Sequence, residues 1–143
     1  MKIVWGIGPT RMRRTHLVTG FLFAAVFAGT GAYMRFTFPE AFQGDAGMRM
    51  MYRASHIYIL LSAIVNLAVG AQRALCPAGW RRKLQTFGSV CVLLAPAVFT
   101  ASFFFVPVPG KLARPIVLAG VILCVAGSGA AVLAGRAEPG ATR

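Results

Sequence analysis

The chain has 143 residues, of which 57% are hydrophobic and only 13% charged, whereas a soluble domain carries about 45–50% apolar and about 25% charged residues. With a mean hydropathy of +0.70, these values exclude an ordinary water-soluble fold. The formal charge is +12, but the Lys and Arg residues lie in short segments beside apolar runs, a pattern of membrane-surface anchoring and not of a nucleic-acid patch.

Four apolar runs, 16–34, 54–72, 84–106 and 115–135, contain no Lys, Arg, Asp or Glu. Each is close to the ~20 residues a helix needs to cross a ~30 Å hydrocarbon layer. The expectation is an all-α protein with one integral membrane domain, 1–143, whose four transmembrane helices form an antiparallel bundle. The first run follows Lys2, Arg11, Arg13 and Arg14. It is longer than the ~7–15 apolar residues of a cleaved signal and reads as a true span. Ala24, Ala28 and Ala32 recur every fourth position along it, predicting close helix approach. Between Arg35 and Arg53 the longest external connection is expected, with Pro39 and Gly44-Asp45-Ala46-Gly47 breaking the helix before Met48.

In the second run Ser55, Ser62 and Asn66 stand 7 and 11 residues apart, which at 100° per residue puts them within about 20° of one line. The third run carries Gln85, Ser89 and Thr100 around Pro96. Polar groups facing lipid lack partners, so these stripes are expected to face one another inside the bundle. Pro96 removes a backbone donor, and the carbonyl it exposes is assigned to Thr100 or Ser89. The 106–110 segment, Val-Pro-Val-Pro-Gly, turns the chain into a fourth helix bearing small-residue ridges at Gly127, Ala131 and Gly135 and at Ala126, Ala130 and Ala134. Such ridges suit contacts in the bundle, in a homo-oligomer or in a larger membrane complex.

Orientation follows from the basic residues, which are retained on the cytoplasmic side of short loops. The N-tail, second loop and C-tail together hold ten, and the first and third loops five. Both termini are therefore expected in the cytoplasm, in a multi-pass protein of a bacterial-type inner membrane.

Chemistry-bearing residues are scarce. Arg49, Arg53 and His56, at i, i+4 and i+7, fall within about 60° on one helix face. With neighbouring Tyr52 they form an external lip suited to an anionic headgroup or substrate, since Arg meets phosphate bidentately. Met48, Met50 and Met51 read as packing, because Arg49 and Arg53 would repel a soft cation. His16 and His56 stand at opposite depths and cannot share one haem. Cys91 and Cys124 read as small apolar residues and Cys76 as a loop thiol, so no disulfide, metal site or cofactor is expected.

Arg53-Ala54-Ser55-His56 resembles the Arg-Ala-His motif of the membrane-associated eicosanoid and glutathione metabolism family, four-helix membrane enzymes of about this length. The match covers four residues, with Ser55 inserted and the family's following Asn and Glu missing. The resemblance implies a glutathione-transferase-like activity on an anionic thiol held by Arg49, Arg53 and Tyr52. Gly31 to Phe36 and Asn66-x3-Gly70 are faintly similar to motifs of small fluoride channels. The leading expectation is a non-enzymatic accessory or lipid-interacting subunit partnered by membrane lipids. The family's enzyme activity is the alternative, followed by a small channel or transporter.

Overall fold

The computed structural model describes residues 9–41, 44–72, 79–105 and 114–135, of which the side chains of residues 9, 39–41 and 135 are not described. All four elements are helices: α1, Pro9–Ala41; α2, Ala46–Ala71; α3, Trp80–Phe105; and α4, Pro115–Gly135. Each includes a stretch long and apolar enough to cross a membrane, namely Thr10–Phe38, Ala46–Ala71, Trp80–Phe105 and Pro115–Ala134. These are the spans of a candidate multi-pass membrane protein. The 106–110 turn, Cys76 and the tail after Arg136 lie outside the described residues.

Helix α1 opens on Pro9, whose fixed φ suits a first helical turn and whose missing N–H would be unpaired there anyway. It runs for 33 residues, roughly 50 Å at 1.5 Å per residue. The expected break at Pro39 does not occur. The proline falls within the last turn, and the helix continues to Ala41. The connection expected from Arg35 to Arg53 is therefore mostly helical, and only residues 42–45 separate α1 from α2. Asp45 starts α2 as its N-cap, its carboxylate accepting the Met48 N–H at 2.9 Å.

Neighbours in space follow the order of the chain: α1 packs on α2, α2 on α3 and α3 on α4. Helix α1 barely reaches α3, and α1 and α4 share no interface among the described residues. The most apolar window of α1 is accordingly only 11% buried, against 50% for α3. Residues near the start of α1 meet the end of α2, as in the His16 to Asn66 contact, whereas Thr30 meets His56.

Lipid tails are as apolar as the side chains, so close fit and hydrogen bonds, more than exclusion of water, must hold such helices together. Glycines set that fit. A Cβ on Gly20 would lie 2.6 Å from Leu67, and one on Gly70 would lie 2.9 Å from Leu17. Between α3 and α4 the backbones themselves touch, since a Cβ on Gly88 would fall 2.6 Å from the Gly127 carbonyl oxygen. Of the predicted α4 ridges, Gly127, Ala130, Ala131 and Ala134 are buried and Ala126 is exposed. The α1 stripe is corrected: Ala28 and Ala32 are exposed, Gly29 faces open space, and the approach to α2 passes through Gly20 and Gly31. Ile59, Ala95, Phe99, Phe103, Val117 and Cys124 form the central cluster. Cys91 and Cys124 are free and buried.

Candidate functional site

Helix α2 carries polar groups at both of its ends, and they are solved in opposite ways. At the end near α1's start, Ser62 and Asn66 are fully buried. Pro96 lies inside α3 and has no N–H for the carbonyl four residues earlier, that of Val92. Asn66 supplies the donor: its Nδ2 reaches the Val92 oxygen at 2.9 Å and its own helix's Ser62 oxygen at 3.0 Å. This corrects the expected donor, Thr100 or Ser89. Thr100 instead bonds the Pro96 carbonyl at 2.8 Å, and buried Ser89 does not take the exposed position.

The same side chain reaches α1. Both Asn66 Nδ2 bonds go to carbonyls, so Oδ1 is the acceptor for His16 Nδ1 at 2.9 Å. His16 must therefore carry its proton on Nδ1, which leaves Nε2 as an acceptor when the ring is neutral. That Nε2 is buried with no hydrogen-bond partner among the described residues. His56 follows the same logic. Thr30 has one hydroxyl proton and gives it to the Phe27 carbonyl, so it accepts from His56 Nδ1 at 2.9 Å. The His56 ring also stacks on Phe27 at 3.9 Å. The levels of His16 and Thr30 differ by 14 residues of α1, roughly 21 Å, which sets the two imidazoles far apart.

The opposite end of α2 is cationic and open. Gly31, Met34, Arg35 and Phe38 of α1 and Arg49 and Arg53 of α2 line a cavity of about 490 Å³. No hydrogen bond or ion pair with a described residue engages these three guanidinium groups. Sequence spacing placed Arg49 and Arg53 together, and the structure adds Arg35, which the helical continuation of α1 brings across from them. His56 is not in the lining; it lies behind Gly31, where a Cβ would come 3.2 Å from its Cε1. Tyr52 packs edge-on against Phe38 and Phe103, at 5.0 and 5.1 Å between ring centres, and is not itself in the cavity lining. Of the residues that the motif resemblance implies for an anionic thiol, Arg49 and Arg53 line the cavity and Tyr52 packs on Phe38 of the same lining.

A further polar cluster joins α2, α3 and the start of α4. Ser55 and Ser102 are fully buried; Arg114 Nη2 donates to Ser55 Oγ, and Ser102 Oγ stands 3.4 Å from it. Arg114 lies just before the fourth apolar stretch, and its Nε is buried without a partner among the described residues. Burial lowers the guanidinium pKa from its ordinary value, partly countered by Tyr58, though an arginine stays charged at any working pH. Spacing alone could not reveal this contact, because Arg114 and Ser55 are 59 residues apart. Gln85 is half-buried in α3. Among the described residues no three His, Cys, Asp or Glu side chains are grouped to hold a metal ion. No protein family, characterised protein or solved structure matches this chain.

Proposed function

We propose that the chain is a small, non-enzymatic accessory or lipid-interacting subunit of a bacterial-type inner membrane, holding an anionic lipid headgroup at the α1–α2 connection. The carrying observation is the cavity in which Arg35, Arg49 and Arg53 converge. Only Glu40 and Asp45 are acidic in that part of the sequence, and Asp45 is committed to the Met48 N–H. A membrane phosphate would supply counter-charge with the bidentate geometry guanidinium favours. In this reading the helices run antiparallel with both termini cytoplasmic, supported by the charge bias and by the pairing of 16 with 66 and 30 with 56. The exposed small residues of α1 leave room for a second copy or a larger complex. The test is lipid retention: Arg49→Ala with Arg53→Ala should lose copurified anionic lipid in native mass spectrometry. Arg81→Ala with Arg82→Ala, at the opposite end, should lose less, because only diffuse attraction acts there. Equal losses would refute the headgroup site.

A further inference from the structure

The geometry points to a ligand of narrower class than an anionic headgroup in general: the cavity takes a terminal, doubly ionisable phosphate, a monoester or diphosphate, attached to an apolar body. This rests on the headgroup reading above and goes further by choosing between phosphate types.

Charge comes first. Three arginines line one cavity, and Asp45, the one carboxylate among the described side chains, accepts from the Met48 N–H. A phosphodiester brings a single negative charge and two unesterified oxygens, so it leaves most of that charge and at least one arginine unmatched. A terminal phosphate carries about −1.5 to −2 at neutral pH and three strong acceptor oxygens. Three forked donors from two helices match three oxygens.

Shape comes second. Arg49 and Arg53 stand one turn apart on α2, while Arg35 stands one turn beyond Gly31 on α1. The donors therefore reach the phosphate from two sides. Met34 and Phe38, on the same α1 wall, offer it apolar surface. The volume of about 490 Å³ lies within the range of small-ligand sites, roughly 300–1,000 Å³, and exceeds what a bare phosphate fills. Gly31 keeps the floor low: any side chain there enters the space between the cavity and the His56 ring, 3.2 Å from its Cβ position.

The terminal phosphate can belong to a lipid or to a soluble compound, and the experiment separates these sources. The full chain is placed in phosphatidylcholine nanodiscs doped with either phosphatidic acid, which has a terminal phosphate, or phosphatidylglycerol, a diester. Retention is then read by native mass spectrometry. The wild-type chain should retain phosphatidic acid roughly tenfold more strongly, a difference of one charge-assisted contact. Arg35→Ala should reduce that preference more than it reduces phosphatidylglycerol retention. Met34→Trp, which fills the cavity without changing charge, should abolish the preference; Gly31→Ala is the second, smaller filling change, should Met34→Trp disturb α1. Protection against thermal unfolding by inorganic pyrophosphate, lost in Arg35→Ala, would support the same phosphate chemistry from a soluble source. Equal retention of the two lipids by wild type, with no effect of pyrophosphate, would overturn the terminal-phosphate assignment. In that case the headgroup reading stands or falls separately, on whether Arg49→Ala with Arg53→Ala still loses anionic lipid.

Discussion

The two ends of α2 are built from polar residues under opposite rules. At one end Asn66 spends its amide on Ser62, Val92 and His16, and nothing reaches solvent. At the other, Arg49 and Arg53 are charged, border open space and have no protein partner among the described residues. A buried amide with its bonds made holds helices together; the proposed headgroup site gives the arginines at the open cavity a different role. The contrast separates polarity met inside the protein from polarity left at an open surface, in a chain where both kinds sit on one helix.

The largest expected effect breaks the satisfied end. Asn66→Leu leaves the His16 N–H and the Val92 carbonyl without partners, and should lower stability in detergent by about 2 kcal/mol despite the more apolar side chain. An unchanged or higher unfolding midpoint would show that the amide is not what joins the three helices. A sharper test couples it to the proline. Pro96→Ala returns an N–H to the Val92 carbonyl, so Asn66→Leu should cost about 1 kcal/mol less in that background. Additive losses in the double-mutant cycle would separate the two residues. The smallest expected change is at the open end: Arg49→Ala with Arg53→Ala should move stability by no more than about 0.5 kcal/mol while removing lipid retention. A large destabilisation there would mean the arginines are structural after all.

The helices were legible because each apolar run matches a membrane's thickness, and the face shared by Ser55, Ser62 and Asn66 followed from helical period alone. Their partners were not legible. Periodicity says which side a residue faces but not which helix stands opposite, so Arg114 reaching Ser55 and His16 reaching Asn66 needed the assembled fold. Arg35 was missed for a different reason. Reading Pro39 as a helix end put Arg35 at the edge of a loop, whereas the continuing helix sets it on a defined face across from Arg49. Tyr52 illustrates the same limit: its place beside Arg49 and Arg53 in sequence does not say that its ring packs on Phe38 and Phe103 across the helices.

The proline-freed carbonyl has a consequence for how the helices find their alignment. Apolar contact alone, even where glycines allow a close fit, marks the correct position less sharply than a hydrogen bond available at one level. Among the described residues α3 has one interior proline, so the Val92 oxygen marks a single level on it. If α2 slipped by one turn, about 5.4 Å, Asn66 would face carbonyls already held by their own helix and Val92 would be left bare. Asn66 and Arg53 belong to the same unbroken helix, 13 residues or roughly 20 Å apart. Locking one end at Val92 therefore sets the height at which the arginines at the other end meet the boundary of the membrane.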